Sequence, residues 1–335
     1  MSSYAEHWKF RPHRLLRNAH LQTVAAVYLA YKPAPYAARQ HFVDVDERPF
    51  DEGGDQIVLH EDQPAAGASP TAPAVLLIHG LSGSYESTYM RRMAERLTAR
   101  GWTSFRMDMR GCGAGELVAR RPAHCGRSDD VAAAVRRIAE LHPQAPLYVV
   151  GYSMGGALAL NMLAAAGATR IGNLERTLAI CPPLDLFAVQ RQLETRLGRR
   201  YDRFFVRALW EQVVNRWRRF PEVRPSDLPP APRKLEHINE WVIAPTGGFA
   251  SAADYYKQTQ PGPKLSSIKQ PTMILAAADD PIVPTGPLHD FALGDHVEAL
   301  VLPGGGHLGF LAARNGDPDI RWLDWRIIDW IQTGR

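Results

Sequence analysis

Three cysteines in 335 residues, Cys112, Cys125 and Cys181, are too few and too scattered to build a disulfide framework or a metal site. An odd number without metal-ligand spacing fits reduced thiols, which points to a cytoplasmic compartment. Long apolar runs are missing as well. Residues 1–17 alternate charged, aromatic and histidine side chains with no apolar segment after them, so neither a secretory signal nor a membrane span is expected. Charge of one sign is scarce: 39 Lys and Arg against 35 Asp and Glu leave a net +4, most of it gathered between Arg191 and Arg224. So mild an excess makes no case for nucleic-acid binding. No internal repeat is visible. What remains, 45% hydrophobic and 22% charged residues, suits a soluble globular chain with a sizeable core.

Along that chain the hydrophobic period changes in a regular way. Two strand-like runs, His41–Val45 and Gln56–Leu59, flank Asp51-Glu-Gly-Gly54 and predict a hairpin. After a Pro/Ala/Gly loop, Ala74–Ile78 is continuously apolar, as a buried parallel strand should be. Thr88–Arg100 then has helical spacing, with Met90, Met93, Ala94 and Leu97 on one face. Strand character returns at Trp102–Met107, Leu147–Val150 and Thr177–Ile180. A helix capped by Ser128-Asp-Asp130 and running to Leu141, with Val131, Val135 and Ile138 inward, falls between the first two. This order predicts an α/β class with a doubly wound, mostly parallel sheet and an antiparallel start. The alternation then stops after Cys181-Pro-Pro183 and resumes only at Thr272–Leu275. The stretch between is rich in arginine and aromatics at helical spacing, and is divided by prolines from Pro225 to Pro232. It reads as a helical insertion over the sheet's carboxyl edge. Val297–Leu302 is the last strand and Ile320–Ile331 a closing amphipathic helix.

One motif carries chemistry. Gly151-Tyr-Ser153-Met-Gly155 ends an apolar strand and opens a small-residue helix, so Ser153 stands at the tip of a sharp turn. A serine hydroxyl is a weak nucleophile and needs a base, which in turn needs an orienting acid. Asp279-Asp280-Pro-Ile-Val-Pro284 follows the strand Thr272–Leu275, and Gly304-Gly-Gly-His307 follows Val297–Leu302. Both loops lie where acid and base should stand in the chain order Ser, Asp, His. One of the adjacent Asp279 and Asp280 is the expected acid, and His307 the base. The N–H groups of Met154, directly after the serine, and of Leu81, in the loop His79-Gly-Leu81-Ser-Gly83, are the expected oxyanion donors. His79 is expected to fix that loop.

These pieces resemble the YheT-like branch of the α/β-hydrolases, which takes in bacterial esterase-like proteins, plant embryogenesis-associated hydrolases and mammalian abhydrolase-domain lipid hydrolases. The matching segments span nearly the whole chain: Leu16-Arg-Asn-Ala-His20-Leu-Gln-Thr23, His79–Ser84, Arg110-Gly-Cys112, Gly151–Gly156, Asp254-Tyr-Tyr256, Asp279–Pro281 and Gly305–Phe310. The resemblance implies the α/β-hydrolase fold: an eight-stranded sheet core, residues 1–186 and 265–335, with a helical cap at 187–264. It also implies a serine hydrolase that cleaves carboxylic esters through an acyl-enzyme on Ser153, Asp280 and His307, with no metal and no organic cofactor. Ser82, Asp108 and Ala157 depart from the family's usual Glu, Asn and Asn and could alter pocket polarity.

The partner such a protein needs is a small acyl ester of short to medium chain; no nucleic acid and no stable membrane insertion are expected. Transfer of the acyl group to an alcohol, hydrolysis of phospholipids or monoacylglycerols, and ligand binding on a disabled hydrolase fold remain as alternatives. His124-x4-Asp129 matches a pattern linked with acyltransferases, though a loop followed by a helix cap explains it too. The stretch around Val24, Val27 and Leu29 is expected to pack an N-terminal helix against the body, and Arg110 to hold a turn. Oligomeric state is not legible.

Overall fold

A computed structural model describes residues 8–29, 31–314 and 316–333. The hairpin is present: β1 (Arg39–Asp44) pairs antiparallel with β2 (Gln56–Asp62), Val43 opposite Ile57. Six strands continue the sheet, β3 (Ala74–Ile78), β4 (Thr103–Asp108), β5 (Leu147–Tyr152), β6 (Leu174–Ile180), β7 (Thr272–Ala277) and β8 (Val297–Leu302). Their order across it is β1-β2-β4-β3-β5-β6-β7-β8, and every pairing from β4 to β8 is parallel.

Both faces are covered, which explains the unbroken apolar run of β3. Val75 and Leu77 point to one side, against Met90, Met93 and Leu97 of α2 (Thr88–Thr98) and the tryptophans of the closing helix Trp322–Thr333. Leu76 and Ile78 point to the other, toward Val131, Val135 and Ile138 of Ser128–Leu141 and the buried helix Met154–Ala166. Chain order reverses between β3 and β5, so the loops leaving their carboxyl ends part company there. That crevice is where this architecture binds ligands.

Between β6 and β7 the described chain has helices and turns and no strand. Leu186–Glu194 leads into the long helix Gly198–Arg219; then Leu235–Ile238 passes through a π turn, Asn239–Ile243, into Ala244–Gly247, and Ala252–Thr259 follows. Leu193, Val206, Val213 and Ile238 are buried in the same cluster as the strands. Tyr201, Phe205, Trp210 and Trp217 are half-buried against it, while Phe204 is exposed.

Three local expectations need correction. The first helix, α1 (Ala19–Tyr28), is capped by the Asn18 carboxamide, but it does not bury its apolar stretch. Leu21, Val24, Val27 and Tyr28 face solvent, and Gln22 and Thr23 are the residues turned inward. Polar residues win those places because each has a buried partner to meet. Ser128 and Asp130 do not cap their helix. Asp130 is buried and accepts from Arg110 Nε and Nη2 at 2.8 and 2.7 Å. Arg110, 2% exposed, does more than hold a turn, since its guanidinium also reaches Asp46, Asp55 and the Val45 carbonyl. The surrounding carboxylates offset the cost of burying its charge at this depth.

Candidate active site

Ser153 begins where β5 stops. Its φ of 51° and ψ of −118° lie in the left-handed half of conformational space, which throws its side chain clear of both strand and helix. Only bare backbone fits around such a turn. A Cβ on Gly151 would come within 2.5 Å of the Gly155 carbonyl oxygen, and one on Gly155 within 2.4 Å of that of Ile78. The serine N–H is tied to the Ile180 carbonyl at 2.8 Å, fixing the turn to β6.

The loops after β7 and β8 bring the other two residues. His307 Nε2 lies 3.0 Å from Ser153 Oγ, and its Nδ1 lies 2.7 Å from Asp280 Oδ2. Asp280 Oδ1 accepts from the N–H groups of Ile282 and Val283 at 2.8 and 2.9 Å, so the carboxylate is held at both oxygens. With Nδ1 donating to a carboxylate, the neutral ring presents its Nε2 lone pair to the serine. Asp279 does not join this chain. Its Oδ1 accepts from the Gly306 N–H at 2.9 Å and thereby ties the acid loop to the histidine loop.

Leu81 and Met154 flank the serine and line its cavity, and among the described residues no acceptor takes the N–H of either. Gly80 lets the backbone close in: a Cβ there would stand 3.1 Å from Ser153 Cβ. Its N–H donates to Tyr89 Oη at 3.0 Å. His79 is buried, donates from Nδ1 to the Gly80 carbonyl at 2.8 Å and receives Met109 N–H at Nε2; burial pulls its pKa down. It fixes the loop, as its position implied. Asp108 is buried among the Tyr85 and Ala114 N–H groups and His60, and its Oδ1 lies 4.0 Å from His79 Nε2.

Two residues that sequence reasoning passed over hold the histidine. Thr23 Oγ1 accepts from the His307 N–H at 2.9 Å while donating to the Ala19 carbonyl at 2.8 Å. Gln22 bridges the chain further on, its Oε1 accepting from Leu311 N–H at 2.7 Å and its Nε2 donating to Leu311 O at 2.9 Å. Gly306 and Gly309 must be bare to admit α1, since a Cβ on either would collide with its backbone at 2.4 and 2.7 Å. The only sequence signal was the segment Asn18–Thr23 itself. His20 of that segment is stacked on Tyr201 and bonded to it, Nδ1 to Oη at 2.8 Å. Thr23→Val leaves a buried N–H unsatisfied, with an expected loss of about 1–3 kcal/mol in stability. The labelling rate of Ser153 by a fluorophosphonate should fall about tenfold as His307 loses its register. Chemical denaturation and labelling kinetics measure the two effects.

Other chemistry is weakly served. Cys112 and Cys125 are buried, and burial pushes their thiols up to about 12 and about 11, far from a reactive thiolate. His124 and Asp129 do not meet: the buried His124 accepts the Gly126 N–H at Nδ1, and Asp129 is exposed. Among the described residues, Cys181, Asp280 and His307 are the one His/Cys/Asp/Glu group compact enough for a metal, with ligand atoms within 4.8 Å of one another. Asp280 and His307 are already hydrogen-bonded to each other there.

Comparison with known proteins gives concordant findings. Residues 75–317 match the model of a family described as "Alpha/beta hydrolase family". The chain is 30% identical to the Escherichia coli (strain K12) protein named "Putative esterase YheT", over 99% of this chain and 94% of that one. It is 25% identical to "Phospholipase ABHD3" of Homo sapiens, over 72% of this chain and 59% of that one. Among solved structures, Est1E from Butyrivibrio proteoclasticus, bound to ferulic acid, superposes with a TM-score of 0.54 at 18% identity, covering 88% of this chain and all of that one.

Proposed function

The chain belongs to the alpha/beta hydrolase family, of esterase and lipase type, and from that premise we propose that it is a carboxylic ester hydrolase acting through Ser153, His307 and Asp280. The observation that carries this reading is the unbroken hydrogen-bonded chain from Ser153 Oγ through the imidazole to Asp280. Ser153 Oγ attacks the ester carbonyl carbon while His307 Nε2 takes its proton, and Asp280 holds the imidazolium that results. The oxyanion is received by the N–H groups of Leu81 and Met154, the second at the start of a helix whose dipole favours negative charge. Collapse breaks the ester C–O bond, and the departing alcohol takes the proton from His307. Water then gives a proton to the same nitrogen and attacks the acyl-enzyme; collapse breaks the bond to Ser153 Oγ, which takes that proton back from His307, and the acid is released. Segment 187–264 serves as the cap, with residues 1–186 and 265–335 as the core.

Short to medium acyl chains suit the space beside Ser153. The cavity is about 90 Å3 and apolar, walled by Leu186, Val189, Leu193, Phe205, Ile282 and Val283. Pockets for drug-sized ligands run to about 300–1,000 Å3. Each methylene buried there adds about 0.8 kcal/mol until the space is full. On p-nitrophenyl acetate, butyrate, octanoate and palmitate, kcat/KM should therefore climb from acetate to an optimum at butyrate or octanoate and drop at palmitate. A second reading, hydrolysis of lipid esters, draws on the exposed apolar face of α1 at Leu21, Val24, Val27 and Tyr28 and on the relative named as a phospholipase. Palmitate as the best substrate would replace the first reading with the second.

A further inference from the structure

A second chamber, about 50 Å3, adjoins the Ser153 cavity and shares Leu81, Met154, Asn239 and Tyr255 with it. Arg216, from the long helix Gly198–Arg219, forms part of its wall. This arginine is 7% exposed, yet among the described residues its guanidinium makes no hydrogen bond and no ion pair, and its buried Nε has no partner. Its position is specific: Gly111 makes room for it, since a Cβ there would stand 2.0 Å from Arg216 Nη2. The carboxylates that act on its charge do not pair with it. Asp55 is taken by Arg110, Arg121 and the Arg120 N–H, and Glu116 makes no ion pair with it. His124, 4% exposed, lines the same chamber; its Nδ1 accepts a backbone N–H, so its proton sits on Nε2, which also lacks a partner.

Burying a guanidinium without a counter-charge is strongly unfavourable, and a methionine or leucine would fill the same space without that penalty. Arginine's planar fork of donors instead matches a carboxylate or a phosphate. We propose that this chamber is an anion subsite, so that the substrates of the site are esters that also carry a carboxylate or phosphate, held by Arg216 while the ester carbonyl lies at Ser153. This rests on the hydrolase reading above and narrows its substrate class. A chamber of this size takes the charged group and not a chain. It adjoins Leu81 and Met154, the two oxyanion donors, so the charge lies a short link away from the reacting carbonyl.

Two matched pairs of esters test the idea. One pair is mono-p-nitrophenyl glutarate against p-nitrophenyl butyrate; the other is 1-butyrylglycerol 3-phosphate against 1-butyrylglycerol. The wild type should favour the anionic member of at least one pair by about tenfold or more in kcat/KM, and the pair that responds identifies carboxylate or phosphate as the anion. In Arg216→Met that ratio should fall at least about tenfold, and Arg216→Lys should keep part of it. Equal efficiencies within both pairs, or a ratio unchanged in Arg216→Met, overturn the proposal. Glutarate and glycerol 3-phosphate supply a readout independent of turnover. Either should raise the wild-type melting temperature and fail to raise that of Arg216→Met. If no ester is cleaved and a fluorophosphonate does not label Ser153, the hydrolase reading fails, and the melting shift alone decides for or against the anion subsite.

Discussion

Ser153→Ala is expected to fold as the wild type does, to lose kcat on p-nitrophenyl butyrate by at least about 10⁴-fold, and to stop reacting with a fluorophosphonate. The argument is geometric. Oγ is the one hydroxyl within hydrogen-bond distance of His307 Nε2, at 3.0 Å, and no other described side chain takes that nitrogen. Alanine keeps the Cβ that the Gly80 contact accommodates and the N–H that bonds to Ile180, so the turn has no reason to reorganise. Its strained φ persists in the variant, so the change in stability should be small. Residual turnover above the uncatalysed rate should survive, because Leu81 and Met154 can still receive an oxyanion while water attacks directly. Intact-mass measurement after probe treatment, beside initial rates, reads both effects. A probe adduct on another serine in the alanine variant would remove Ser153 from the nucleophile's role.

Much of this site was legible because its parts are local. Ser153 announces itself by a strand, two glycines and a helix within a few residues. Asp280 and His307 each stand in a loop that directly follows a strand of recognisable period. Chain order then sets all three on loops after β5, β7 and β8, strands that the sheet order places on one side of β3. What escaped was long-range. Thr23 meets His307 across 284 positions and Gln22 meets Leu311 across 289, and no period or spacing records such a bond. The same blindness misread α1. Its valines fit the rule that apolar residues go inward, but polar partners in the histidine loop claimed the inner face. Ser128-Asp-Asp130 has the composition of a helix cap, yet Asp130 answers to Arg110 instead. Arg216 is invisible for the opposite reason: its position on a helix rich in arginine looks like a solvated face, and only burial distinguishes it from its neighbours.

Between the two adjacent aspartates the expected contrast is large: Asp280→Asn should lower kcat by about 10⁴-fold, and Asp279→Asn by less than about tenfold. Asp280 uses both oxygens as acceptors, Oδ2 toward His307 Nδ1 and Oδ1 toward two backbone N–H groups. An asparagine has one acceptor oxygen and one donor nitrogen to put in those places. If its nitrogen faces the imidazole, the ring must turn Nδ1 into an acceptor, and the proton moves to Nε2, where it blocks the lone pair that Ser153 needs. If its nitrogen faces Ile282 and Val283, donors oppose donors and the loop that carries the side chain is pushed out of place. Either arrangement removes the base. Asp279 uses Oδ1 to accept the Gly306 N–H, and an asparagine oxygen does the same. The imidazole tautomer is untouched, so what is lost is only the charge behind that bond. Initial rates of the two variants, with melting temperatures to confirm that both fold, decide the matter. A severe loss in Asp279→Asn beside a mild one in Asp280→Asn would transfer the orienting role to Asp279, because no rearrangement of the asparagine at 280 can both satisfy its loop and leave Nδ1 protonated.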